Sequence, residues 1–149
     1  MSQFFFFSLE SFELEDSKQA IDMLNKHIAV ELYDVIRAEL RSILEEDSFS
    51  VDAASMGKRA YRNRLLRMLF SSETEESCKM VFEHFSNAQN MTDEISALET
   101  LFQRENAYRA QASESFYKKW KHETLIVQKW LGIQAQSEMI SISEIKQLE

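Results

Sequence analysis

Five bases, Lys58, Arg59, Arg62, Arg64 and Arg67, stand within ten positions with no acid among them. Such a cluster could grip a phosphate, a nucleic-acid backbone or a carboxylate. At about 100° per residue, Lys58, Arg59 and Arg62 share one side of a helix, while Arg64 and Arg67 point away. Apolar Met56, Ala60, Tyr61, Leu65, Leu66, Met68 and Leu69 fill the other directions. A helix that reads nucleic acid gathers its bases on one stripe and buries the opposite side. One that is apolar nearly all round lies between other helices. These arginines are therefore expected to pair with acids and carbonyls of adjacent helices.

The other reactive residue types fall into no catalytic pattern. His27, His84 and His122 make no i, i+4 pair and no His-Glu-x-x-His, and Cys78 has no cysteine partner. Metal-binding spacing is thus missing. The histidines read as partly exposed helix residues, and Cys78 as a small core residue. Glu45/Glu46 and Glu75/Glu76 are adjacent and diverge on a helix, so they read as solvated faces. Asn90-Met91-Thr92 matches a glycosylation acceptor, a tripeptide frequent by chance. Phe116, Tyr117, Trp120 and Trp130 stand at helical spacing, which suits a core better than a cofactor box. No nucleophile, base and oxyanion donor assemble. The expectation is no catalytic, cofactor-binding or metal residue, no cofactor, and no activity of this chain alone.

The elements that must position these residues follow from composition. The 149 residues include no proline and two glycines, Gly57 and Gly132. Sandwiches, barrels and tight hairpins need turn residues that such a chain lacks. An all-α fold remains. The net charge of −8 argues against general affinity for nucleic acid or an anionic membrane. The lone cysteine suits a reducing compartment, and a cytoplasmic location is expected. Phe4–Phe7 is too short for a signal peptide, and no stretch reaches the roughly 20 apolar residues of a membrane span.

Residues 1–17 lack periodicity and are expected to form an irregular arm against a hydrophobic surface, ahead of a helical domain over 18–149. From Lys18 to Glu46, the apolar Ile21, Leu24, Ile28, Leu32, Val35/Ile36, Leu40 and Ile43 predict one helix with those residues on its inner face. Ser50 or Asp52 can cap a second helix to Phe70, and a third spans about Glu73 to Asn87. Asn90 or Thr92 can open a fourth, with Asp93 favouring its positive end. Ala107–Lys121 forms a fifth, Thr124 caps a sixth, and Ser141 or Ser143 opens a last one. Six or seven helices of this length predict stacked antiparallel pairs, a HEAT/ARM-like α-solenoid. Ile140, Ile142, Ile145 and Leu148 would have little left to pack against. The chain is therefore expected to be truncated there, with self-association through the open end as one outcome.

Three stretches together resemble a known family. Met56-Gly57-Lys58-Arg59-Ala60-Tyr61-Arg62-Asn63, with Leu65-Leu66-Arg67, resembles the Gly-(Lys/Arg)-Arg-x-x-Arg-Asn helix of the aminopeptidase N family, which are zinc metallopeptidases. Phe85 to Asp93, with Ala97-Leu98 following, is similar to its Asn-Met-Thr-Asp segment. Phe116-Tyr117-Lys118-Lys119-Trp120, then Leu125 to Trp130 and Gln134-Ala135, resemble its Tyr-x-x-Trp and Lys-Trp helices. The resemblance runs in register over about residues 20–136. It implies a C-terminal helical domain that closes over the catalytic domain and restricts peptide access to a buried site. The implied partner is that catalytic domain or another protein surface. The family's zinc motif and its substrate-amine segment belong to other domains, so zinc is expected only in the full-length family. What carries over is structural: Gly57, Arg59, Arg62 and Asn63 in one helix, Asn90 to Asp93 as a cap, and Trp120, Lys129 and Trp130 in packing. The alternative is a stand-alone helical interaction module, suggested by the Phe4–Phe7 segment.

Overall fold

A computed structural model describes the backbone of residues 2–45, 50 and 52–137 and the side chains of residues 17–43, 50 and 52–137. Among these, seven helices and no strands form: α1 (Ser2–Glu31), α2 (Tyr33–Glu45), α3 (Ala53–Phe70), α4 (Glu75–Asn87), α5 (Met91–Leu101), α6 (Arg109–Trp120) and α7 (Thr124–Gln136). The expected irregular arm is therefore corrected, since α1 is helical from Ser2 onward. The segment has no proline or glycine to stop a helix. The single helix expected over Lys18–Glu46 is interrupted at Leu32. Bonds from Leu32 N to Ile28 O and from Ile36 N to Leu32 O, both 2.9 Å, carry the ladder across the break.

The helix starts obey local chemistry. Asp52, not Ser50, caps α3 by accepting from Ser55 N at 2.9 Å. Thr74 Oγ1 accepts from Ser77 N at 3.1 Å to cap α4, with Glu75 and Glu76 in the first turn where the helix dipole favours them. Asn90, not Thr92, caps α5. Thr124 is the first residue of α7 rather than its cap; Glu123 holds the cap position without a side-chain bond. Between α3 and α4, Glu73 takes φ 58°, in the left-handed region. Its carboxylate accepts from Lys26 of α1, which ties the turn to the first helix.

The substantial partners of every helix lie within two positions along the chain: each packs on the next, and α1 on α3, α3 on α5, α4 on α6. That ladder is the pattern of an α-solenoid, in which antiparallel pairs stack and bury a continuous core. The central helix α3 touches α1, α2, α4 and α5, as its all-round apolar sequence predicts. The core runs through Leu40, Leu69, Phe70, Val81, Leu98, Leu101, Ala112 and Phe116.

One face is rotated from its expected place. Ala29, Ile36 and Leu40 are buried, but Ile21 (58% exposed), Leu24 (58%), Leu32 (45%) and Val35 (66%) face outward. The two sets lie about 90° apart round the helix. The last helix expected from Ser141 or Ser143, with Ile140, Ile142, Ile145 and Leu148, lies outside the described residues.

Candidate functional site

The junction of α3, α4 and α5 is built around a buried carboxylate. Asp93, in the first turn of α5, is 2% exposed. Its Oδ2 accepts from Arg62 Nη2 at 2.6 Å and from Asn90 Nδ2 at 2.7 Å, and its Oδ1 from Asn63 Nδ2 at 2.9 Å. The Asp93 amide donates to Asn90 Oδ1 at 2.9 Å, so Asn90 caps the helix and braces the carboxylate together. A buried charge is tolerable only when its partners are in place. Here three donors converge on it, two of them from α3.

His84 of α4 closes the network through Asn63 Oδ1 at 3.0 Å. Because the Asn63 amide already donates to Asp93, its oxygen faces His84, which must carry a proton on Nε2. Beside it, a small cleft of about 210 Å³ is lined by Leu40, Arg62, Leu66, Met80, Glu83, His84 and Asn87.

Glu94, the next residue, turns the other way. It is also buried and accepts from Lys119 Nζ at 2.9 Å and Trp120 Nε1 at 3.2 Å. Trp130 Nε1 donates to Ser113 Oγ at 3.0 Å, and its ring lies 4.8 Å from that of Tyr117. The three stretches that carry the family resemblance therefore meet at residues 90–94. The arrangement holds helices together.

The sequence-selected residues fall as follows. Arg59 donates to Ser50 O at 2.7 Å, Arg62 pairs with Asp93, and Arg67 lies 3.8 Å from Glu99. Pairing of the cluster with acids and carbonyls of its surroundings is thus observed for these three; Arg64 is exposed. Cys78 is a buried core residue with Arg104 Nη2 3.7 Å from its sulfur. His27 and His122 are exposed, the latter in the turn after α6. Glu75 and Glu76 are exposed, and Arg37 reaches Glu76 at 2.6 Å. Phe116 is core, while Trp120 and Trp130 are half-buried and Tyr117 and Lys129 largely exposed, so Lys129 does not share in the packing. The side chains of Phe4–Phe7, Glu45 and Glu46 lie outside the described residues. Among the described residues, no group of three His, Cys, Asp or Glu side chains could hold a metal ion, and these residues do not fit a zinc site.

Sequence reasoning placed Asp93 at a helix start but missed its burial, and it did not single out Glu94. The available signal was the absence of any local acid beside Arg59 and Arg62, which obliges a partner distant in sequence.

Residues 7–149 match the family described as domain of unknown function (DUF3458_C) ARM repeats. Over 115 residues, 77% of this chain and 13% of the relative, the sequence is 36% identical to aminopeptidase N of Caulobacter vibrioides. It is 28% identical to aminopeptidase N of Escherichia coli over 123 residues, 83% of this chain and 14% of that protein. Identity to the Haemophilus influenzae aminopeptidase N is 30% over 102 residues, 68% of this chain and 12% of that protein. The chain thus spans about an eighth of the length of the curated relatives it matches.

Proposed function

The chain belongs to the DUF3458_C family of ARM-repeat domains, and from that membership we propose that it is the non-catalytic C-terminal helical domain of an aminopeptidase N-like zinc metallopeptidase. In this reading it packs on the catalytic portion and narrows peptide access to a buried site. Closing such a chamber expels water, which strengthens the electrostatics within it. Zinc belongs to that other portion, and none of the residues described above takes part in holding it.

The observation that carries the reading is the outward stripe of Ile21, Leu24, Leu32 and Val35 on α1 and α2. Contiguous exposed apolar residues mark surfaces that another protein covers. Gly57 adds to it. It sits on the exposed side of α3 next to Met56, where a Cβ would meet nothing within 4 Å. A mid-helix glycine with no internal reason fits a surface that another backbone approaches closely.

Two measurements test the proposal. The pure chain, supplied with zinc, should release no product from a chromogenic alanyl substrate. Mixed with Caulobacter vibrioides aminopeptidase N lacking its matched 115 residues, it should co-elute with that protein. The Leu24→Gln, Val35→Gln double variant should not. Hydrolysis by the chain alone, or wild-type chain that never co-elutes, overturns the proposal; the second result leaves the stand-alone interaction module.

A further inference from the structure

The five bases of α3 divide into two groups. Lys58, Arg59 and Arg62 each have partners, whereas Arg64 and Arg67 make no guanidinium hydrogen bond among the described residues. Arg67 lies 3.8 Å from Glu99, beyond hydrogen-bonding distance, and its Nε is buried without an acceptor. A buried donor left unsatisfied is costly, so the place calls for an acceptor. Arg64 and Arg67 stand three positions apart, which makes them neighbours on the helix surface. Two guanidiniums so placed repel each other until an anion lies between them.

Both line a cleft of about 350 Å³ between α1, α3 and the ends of α5 and α7. That volume is at the lower end of the range for ligand clefts. The walls are polar: α1 contributes Lys18, Asp22 and Asn25, and Gln103 and Gln136 stand at the ends of α5 and α7. Each of those side-chain amides offers both a donor and an acceptor, the complement of a peptide group. Ser71, Phe102 and Ser137, the C-cap residues of α3, α5 and α7, also line the cleft. The partial negative charge of helix C-termini favours guanidiniums there and opposes a ligand group with two charges. A carboxylate carries one charge, and its two coplanar oxygens match the guanidinium fork.

We propose that this cleft binds a carboxylate of a peptide. The carboxylate lies between Arg64 and Arg67, with Arg67 Nε donating to one of its oxygens. The amides of Asn25, Gln103 and Gln136 then meet the adjoining peptide groups. A C-terminus and an acidic side chain offer the same chemistry to the two guanidiniums. The site shares no residue with the apolar stripe of α1–α2, and it stands whether or not the chain pairs with a catalytic portion.

The test is an NMR titration of the full-length chain that reads the arginine Nε–H signals. The probes are acetyl-dialanine with a free C-terminus, its C-terminal amide, acetyl-aspartyl-alanine amide, and inorganic phosphate. The expected result is a saturable shift at Arg64 and Arg67 with a carboxylate-bearing peptide and none with the uncharged one. A response to acetyl-dialanine identifies a C-terminus as the bound group; a response to the aspartyl amide alone identifies an acidic side chain. Arg64→Ala should weaken binding roughly tenfold, the worth of one charge-assisted hydrogen bond. Arg64→Lys should lose nearly as much, because an ammonium lacks the fork. Arg64 is exposed, so neither variant disturbs the fold. Arg41→Ala, at an exposed position of α2, should change nothing. The proposal is overturned by no saturable shift with either carboxylate, an equal response to the uncharged peptide, or tighter binding of phosphate. Full affinity in either Arg64 variant, or an equal loss in Arg41→Ala, overturns it as well.

Discussion

The α3–α5 junction and the outer edge of α1–α2 invert the usual distribution of polarity. The junction buries two carboxylates, an arginine and an asparagine in a region surrounded by core leucines. The edge turns isoleucine, leucine and valine toward solvent. Each departure has its own cause. At the junction, every charge found a partner from another helix, so polar groups lock the relative positions of α3, α4, α5 and α6. At the edge, no described element lies over the stripe. Arg62, Asn63, Asn90 and Asp93 of the family motifs thus hold the solenoid's middle, while the stripe proposed as the docking face carries ordinary apolar side chains.

The sharpest way to break this contrast is Asp93→Ala. It strands Arg62 in the interior, and removing one partner of a buried pair costs about 3–5 kcal/mol. Urea unfolding followed by circular dichroism should show this, and a loss below about 1 kcal/mol would mean that the junction is not what locks the helices. Next in size is a pair of aromatic truncations at the other end. Phe116→Ala, at a fully buried site, should cost about 3–5 kcal/mol. Trp130→Ala removes one hydrogen bond and one ring contact from a half-buried site, worth about 2 kcal/mol together. Equal losses would show that Trp130 is more enclosed than its contacts with Ser113 and Tyr117 suggest.

Gly57→Ala should act in the opposite direction. With open space at the Cβ position, the isolated chain should gain about 0.5–1 kcal/mol from helix propensity. The same variant should weaken co-elution with the aminopeptidase portion; a gain in both would remove Gly57 from the docking face. The smallest effect concerns acid. The Ser50 hydroxyl, then the Ser55 amide and hydroxyl, hold the Asp52 carboxyl well below the usual carboxylate range. The Lys26 ammonium does the same to Glu73 more mildly. A depressed folded-state pKa stabilises above the unfolded value of about 4 and is lost as pH falls through the folded one. Asp52→Asn should therefore lower the thermal midpoint slightly at pH 7, and the deficit should shrink progressively below pH of about 4. A deficit independent of pH would assign the cap to geometry alone.

The helix order of α3 to α7 and the caps Asp52 and Asn90 were legible because these are local; Thr74, taken as part of its helix, and Thr124, expected as a cap, were misplaced by a residue. Asp52, Thr74 and Asn90 each act within three residues of themselves. The sequence also showed that α3 is central, since its apolar residues leave no solvated side. The orientation of α1–α2 was not legible. Two apolar rows run along this stretch, Ile21–Leu24–Leu32–Val35 and Ala29–Ile36–Leu40, and periodicity weighs them nearly alike. Only the position of α3 decides between them. The Asp93 network was hidden for a related reason: Arg62 and Asp93 are 31 residues apart, and no local pattern joins them.

The ladder of substantial contacts between helices one or two positions apart has a dynamic consequence. Coupling decays along such a stack, so the domain need not open all at once. Fraying at α7 leaves α1 and α2 undisturbed, and the slowest amide exchange falls to α3–α5, which have neighbours on both sides. The terminal helices can thus breathe independently while the locked middle preserves the order of the stack.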